Sequence, residues 1–457
     1  MPRTRRPLLL IALAASAFAL LPMTQQVPAA LAAEPPAGKK AESAEDKQQA
    51  EQAKAIQEYT AQLEKSRAEA VKLASHTLLK EVAFAGKNGN ALQTLAVDGD
   101  GRVLALVAPP RGFSQPQAGV TSEVHVLDPD GKTVGVWTVD FHANAVNAGP
   151  DGTVYVAGDG KLARFDKAGK PLGKPVELPF IADMLKDKAK LKAMAEKQVT
   201  TQKASFEKMT AQYKDRVAKL VAKEKAANDM GEELSRSDET QLKQSRQILE
   251  SFAETEKYYA AMTPESVLAG ILGRVKVISS VSANDKDVYV VCGEDEGYGF
   301  GLWRMGLDLK DAKKVTGNIS GCCGQMDVQC CGDDVLVAEN TKHRFARYDR
   351  DGKELAAGGK RASGTDPAGF GGCCNPMNVK ACGGDVLTAE SEGIVKRFGP
   401  SGEFKGVVGA VSISGGCKNV AVGANADGSR VYFCDQPGRR VLILALKDKA
   451  AAKTEVK

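Results

Sequence analysis

Short apolar segments separated by tight polar turns recur along most of this chain. The repeated unit is a short strand, an Asp/Gly turn, a β-branched strand opening on valine, a polar turn, a third strand, and a Gly-Lys or Gly-Glu turn. Its anchoring valines are Val103, Val154, Val288, Val335, Val386 and Val431, spaced by 51, 134, 47, 51 and 45 residues. The long interval holds one period plus an insertion of some ninety residues, so the pattern predicts six units with one interrupted junction. Turns such as Asp100-Gly101, Asp151-Gly152, Gly332-Asp333-Asp334, Gly383-Gly384 and Asp427-Gly428 precede the anchors. Asp128–Gly131, Asp166–Gly169, Asp349–Gly352 and Gly399–Gly402 close the later hairpins. These residue types tolerate the positive φ that tight hairpins demand.

Two segments follow a different period. In residues 181–272, Val199, Phe206, Tyr213 and Leu220 repeat at seven with Met209 on the same seam, and Leu242, Leu249, Phe252 and Tyr259 form a second stripe. With Lys, Glu and Gln between them, the stripes predict a coiled-coil-like helical hairpin turning near Asn228 to Gly231. A short helix capped by Thr263, with Pro264 in its first turn, should follow. A further helix is predicted over residues 41–76, where Ile56, Leu63 and Ala70 keep the seven-residue step and Tyr59 and Leu73 fill partner positions.

Four short strands per unit make the blade of a β-propeller. At Val335-Leu-Val-Ala-Glu-Asn-Thr-Lys-His-Arg-Phe-Ala-Arg-Tyr-Asp349 and Val386-Leu-Thr-Ala-Glu-Ser-Glu-Gly-Ile-Val-Lys-Arg-Phe398 the chain resembles the NHL-repeat family. That resemblance implies a six-bladed ring whose innermost strands line a central channel. The last unit ends at its third strand, Val441 to Ala445, while Leu78 to Phe84 reads as a strand ahead of the first inner strand, so the N-terminal strand should complete blade six. Such closure removes two exposed sheet edges. The expected class is therefore an all-β six-bladed propeller with an N-terminal helix and an inserted α-helical hairpin. Residues 77–180 carry the closing strand and blades one and two, and residues 273–447 carry blades three to six. Residues 448–457 read as a disordered tail.

The start of the chain reads as an export signal over residues 1–33. Arg3, Arg5 and Arg6 precede an apolar run from Leu8 to Leu21, and Ala30-Leu31-Ala32 offers a cleavage site near Ala32/Ala33. The apolar run is too short to span a bilayer, so a periplasmic or secreted protein that does not span the membrane is expected. Arg5-Arg6 also admits twin-arginine export. The formal net charge of +5 falls to +2 once those three arginines leave with the signal, which argues against nucleic acid as a partner.

All ten cysteines lie between Cys292 and Cys434. Gly321-Cys322-Cys323-Gly-Gln-Met-Asp-Val-Gln-Cys330-Cys331 matches Gly372-Cys373-Cys374-Asn-Pro-Met-Asn-Val-Lys-Ala-Cys382 fifty-one residues on, and Cys417 keeps a reduced form. The topology should place Cys322, Cys323, Cys373, Cys374 and Cys417 at one channel mouth with Cys292 and Cys434. The polar residues Asp327, Asn378, Asn419, Glu339, Glu390 and Asp435 should share that mouth, and Cys330, Cys331 and Cys382 should lie at the other. Disulfides suit ten cysteines in an exporting compartment. A copper or zinc site built from thiolates is the alternative, and otherwise no cofactor is expected. Thiol–disulfide exchange is a further reading, though no Cys-x-x-Cys pair is present.

His76, His125, His142 and His343 sit singly, with His343 in a turn expected at the surface. This leaves the histidine-ligated lyase chemistry of some NHL propellers without a matching set. No Gly-x-Ser-x-Gly elbow or phosphate loop occurs. Glu339, Glu390 and Asp435 close second strands and are read as caps on the next turn. A non-enzymatic module that binds a protein or cell-envelope partner is the expectation, with a cysteine-ligated metal protein or enzyme at the channel mouth as the competing one.

Overall fold

The computed structural model describes residues 44–84, 90–109, 119–294, 299–321, 325–362, 366–372, 374–413 and 420–447. Among them, 24 strands form six four-stranded antiparallel sheets. The first strands of blades one to six are Ala91–Val97, Ala145–Ala148, Ile278–Ala283, Val328–Cys331, Asn378–Cys382 and Val420–Ala424. Each neighbours the next, and the last neighbours the first, so they close a ring. This is a six-bladed β-propeller.

The six valines occupy equivalent positions at the turn end of each second strand. Val335 pairs with Cys330 and Tyr348, and Val386 with Ala381 and Phe398. None of the six is more than 2% exposed, because each second strand is covered on both faces by adjacent blades. The hairpin turns follow one design. Asp128 Oδ1 accepts the N–H groups of Asp130 and Lys132 at 3.1 and 2.8 Å, and Gly131 takes φ +81°. A side chain at 131 would also meet Ile443 at 2.6 Å and Val82 at 2.7 Å, so both conformation and close approach select glycine.

The closing strand is His76–Ala83, which pairs antiparallel with Arg440–Leu446 and completes blade six as predicted. Ahead of it, helix α1 (Ala44–Leu73) matches the expected N-terminal helix. Residues 58–457 form one compact unit, and the residues before them belong to another. Within the former, Ala70 and Ala74 pack on Ile394 and Val407 of blade five, and Arg67 donates to the Glu392 carbonyl at 3.1 Å. Leu73, expected on the helix seam, is instead 59% exposed, since the chain turns into the closing strand there. The Ile56 and Tyr59 side chains lie outside the described residues.

The insertion comprises α2 (Pro179–Lys186), α3 (Lys188–Asp229), α4 (Arg236–Ala261) and α5 (Pro264–Lys276). It therefore begins and ends a few residues outside 181–272. Thr263 caps α5 in a capping box with Ser266, and Pro264 stands in its first turn. The base is part of the propeller core. Ile181, Met184, Leu191, Met194, Val267 and Ile271 join Tyr155, Leu162, Ile278 and Val288 of blades two and three in one apolar cluster. Phe180 stacks on Trp303 with ring centroids 3.9 Å apart. Farther out, α3 and α4 pack on each other through Phe206, Tyr213, Phe252 and Tyr259. The 42 residues of α3 make it about 63 Å long.

Candidate functional site: the channel wall of blades four to six

A first strand has one neighbour in its own sheet, so every second N–H on its inner edge has no ladder partner. Between blades three and six, side chains of the preceding blade take four of these groups. Ser280 Oγ accepts from Val328 N–H at 3.2 Å and Ser282 Oγ from Cys330 N–H at 2.9 Å, joining blade three to blade four. Asp327 Oδ2 accepts from Val379 N–H, and Asn378 Oδ1 from Val422 N–H, each at 2.9 Å. Asp327 and Asn378 stand at the starts of their inner strands as expected, and they fasten blade four to five and five to six. Ser280 also donates to Asp327 Oδ1 at 2.6 Å. Burial nevertheless pushes the Asp327 carboxyl up to about 6, against these hydrogen bonds.

Lys380 follows Asn378 on the same face of its strand, at the position that Gln329 holds in blade four. Its Nζ lies 3.4 Å from Gln329 Oε1, and among the described residues no carboxylate forms an ion pair with it. Desolvation holds its ammonium below the usual lysine range, opposed chiefly by the charge of Asp327. Sequence reasoning missed this residue. The available signal was a donor-only side chain in a row of Ser, Asp and Asn acceptors.

At the neighbouring mouth, Gln325 of blade four donates its Nε2 to the Val420 carbonyl of blade six at 3.0 Å. Asn340 Nδ2 in turn donates to the Gln325 carbonyl at 2.9 Å. These bonds narrow the mouth across the start of blade five.

Glu339, Glu390 and Asp435 lie beneath this mouth and not open to it, with exposures of 1%, 2% and 0%. Each meets a cation of its own blade. Glu339 pairs with Arg344 and with Lys342 at 2.6 Å, Glu390 with Lys396 at 2.7 Å, and Asp435 with Arg440 at 2.9 Å. Asp435 also accepts the Gly438 N–H at 3.1 Å, which is the expected cap, whereas pairing with a cation dominates at the two glutamates. The Glu390–Lys396 pair is buried on both sides, and Lys396 further donates to the Gly369 carbonyl and lies 5.1 Å from the Phe370 ring centroid. Burial raises the Glu390 carboxyl to about 7, opposed by Lys396.

Cys322, Cys323, Cys373, Cys417 and Asn419 lie outside the described residues. Cys292, Cys374 and Cys434 are described, and each is at most 1% exposed. Cys374 packs in the apolar cluster between blades five and six, and Cys434 in that between six and one. Burial drives the Cys434 thiol far up. The pair Cys330 and Cys331 splits. Cys330 packs toward blade three and Cys331 toward blade five, while Cys382 approaches the Asn425 carbonyl of blade six. These thiols fill small spaces between blades. Among the described residues no group of three or more His, Cys, Asp or Glu is arranged to hold a metal ion.

His343, expected at the surface, is 4% exposed, at a left-handed position with φ +53° where the chain turns into the third strand of blade four. No described helix is long and apolar enough to cross a membrane.

Among known proteins, no family model matches the chain and no curated protein matches it. Among the solved structures it is similar to are two WD40 propellers. The Pan2 WD40 domain of Neurospora crassa has 8% identity and a TM-score of 0.40, over 82% of this chain and 97% of that one. The WD40 β-propeller domain of Doa1 has 10% identity and a TM-score of 0.38, over 82% and 98%.

Proposed function

We propose that this chain is an exported, NHL-type propeller that binds or scaffolds a protein or cell-envelope partner, with the α3–α4 hairpin as the presented element. The export signal and the NHL-like repeats read from the sequence support the first part. The observation that carries the reading is the way the hairpin is mounted: its base is fused into the core between blades two and three, while farther out its two helices pack on each other through Phe206, Tyr213 and Phe252, with polar flanks. A rigid mount lowers the ordering cost of binding. An open cleft of about 550 Å³ lies between the two helices, lined by Asp215, Arg216, Lys219, Lys223 and Asp238 among others, and Met230 is 69% exposed at the turn.

Site-specific photocrosslinking in the native compartment tests this reading. A probe at Arg216 or Met230 should capture a discrete partner that a probe at Lys313, on the outer strand of blade three, does not. Equal capture from both positions, or none from the hairpin, would overturn it. Deleting residues 213–252 and rejoining the helices is the matching loss-of-function test. Removing residues 181–272 would instead strip Ile181, Leu191 and Ile271 from the core.

A further inference from the structure

We propose that the solvent face of α3 is a binding surface for an anionic lipid membrane, a partner chemistry that rests on the hairpin reading above and sharpens it. Charge is segregated between the two long helices. Along its length α3 carries eleven Lys and Arg against five Asp and Glu, whereas α4 carries four against five. The excess on α3 alone is larger than the net +5 of the whole sequence. Both helices share one seam and the same solvent, so solubility does not account for the difference. Helix stability does not either: Lys188 and Lys190 occupy the first turn of α3 and Asp229 its last, against the macrodipole at both ends.

The spacing gives this excess a shape. Lys192, Lys203, Lys214 and Lys225 recur at eleven residues, and Lys197, Lys208 and Lys219 follow the same step. Eleven residues make three turns with about 20° left over, so each set is a nearly straight row with about 16.5 Å between members. The rows lie about 130° apart and straddle the side of α3 opposite Phe206 and Tyr213, which face α4. All but Lys203 are exposed. Glu196 and Asp215 pair with Lys192 and Lys219 at 3.9 and 2.8 Å, while Lys208, Lys214 and Lys225 form no ion pair among the described residues. Exposed Ala193, Ala204, Ala211 and Ala218 stand between the rows, with no large apolar side chain among them.

The side-chain types choose the partner. Lysine outnumbers arginine ten to one on α3. A protein interface is anchored by aromatic residues and arginine and depleted in lysine, and bidentate pairing with a fixed carboxylate calls for a guanidinium. Hydrated ammonium groups on flexible stems suit a flat, diffuse field of lipid headgroups, to which each adds its own attraction. Without apolar side chains on this face, the helix lies on the headgroups and does not enter the acyl layer.

Vesicle co-sedimentation of the full chain is the test, with phosphatidylcholine alone and with one-third phosphatidylglycerol. The protein should bind the anionic vesicles and not the neutral ones, and release them as salt cuts the screening length from about 10 Å at 0.1 M to about 3 Å at 1 M. Lys208→Gln, Lys214→Gln and Lys225→Gln in one chain should weaken binding about a hundredfold. A charge-matched variant, Lys132→Gln, Lys170→Gln, Lys353→Gln, removes exposed turn lysines of blades one, two and four and should bind like the wild type. Equal losses in the two variants, equal binding to neutral vesicles, or no binding overturns the proposal. Saturable binding of a glutamate-rich helical peptide without vesicle binding gives the face to an acidic protein and overturns it too. Failure on vesicles with a partner still crosslinked at Arg216 or Met230 sinks this inference alone, and failure of both sinks the hairpin reading with it.

Discussion

Blades four and five share one sequence frame fifty-one residues apart, yet they handle charge in opposite ways. Blade four keeps its cations at the rim: Lys342 and Arg344 reach back to Glu339 with 46% and 26% of their side chains exposed. Blade five loses one residue in the same turn, and its cation, Lys396, moves to the position that Ala346 fills in blade four, where it is 5% exposed. Inside the wall the contrast reverses. Blade four places a carboxylate, Asp327, where blade five has the neutral Asn378, and blade four places the neutral Gln329 where blade five has Lys380. A repeat thus preserves backbone and register while single positions decide where charge is buried.

The largest effect should come from the buried pair. Lys396→Met leaves Glu390 without its cation and should cost about 3–5 kcal/mol in denaturant unfolding, whereas Lys342→Ala, with Arg344 still in place, should cost about 1 kcal/mol or less. Similar costs for the two would erase the contrast between the blades.

Asp327→Asn copies blade five into blade four and comes next. The Asp327 pKa is raised from 3.8 to about 6 by folding, so its contribution favours the folded state below about pH 4 and is lost as pH rises through 6. An amide keeps an acceptor for Val379 N–H, as Asn378 does for Val422. The variant should therefore gain roughly 1–3 kcal/mol at pH 7 and lose stability dependence between pH 4 and 6. A variant less stable than the wild type at pH 7 would show that the carboxylate charge itself is needed.

The reciprocal change, Lys380→Gln, offers an acceptor to Ala424 N–H, which lies forty-four residues on and on the same edge as the Val422 N–H that Asn378 takes, and should stabilise by about 1 kcal/mol at neutral pH. A loss of stability would mean that the ammonium already supports the ring.

The smallest difference concerns thiols. Cys331 is half-buried, while Cys382, its counterpart, is 8% exposed with its thiol shifted up by burial. Maleimide labelling followed by mass mapping should modify Cys331 before Cys382, and Cys434 only on unfolding. The same maps, with elemental analysis, decide whether the remaining cysteines are paired or hold copper or zinc.

Much of this fold can be read from the chain because strand and helix periods report which face is covered. Val335 and Val386 mark blades, Thr263-Pro264 marks a helix start, and Phe206 with Phe252 marks a seam. Partners from different blades leave no such period. Asp327 meets Val379, Arg67 meets Glu392, and Ile181 shares a cluster with Ile278 of blade three through contacts that only the packing of neighbouring units creates. For the same reason Glu339 and Glu390 could be placed at strand ends while their cations could not be named.

The closing strand makes order of synthesis and order of assembly run against each other. Ala83 is made before any of the six first strands but pairs with Arg440, the start of the last strand of blade six, so the ring stays an open arc until blade six has been made. Blade six is thus a clasp between the first and last strands of the ring, and a ribosome stalled anywhere before Arg440 leaves His76–Ala83 an unpaired, sticky ribbon. Deleting the single strand Arg440–Leu446 would leave His76–Ala83 without its partner and separate the seam that turns six wedges into a circle.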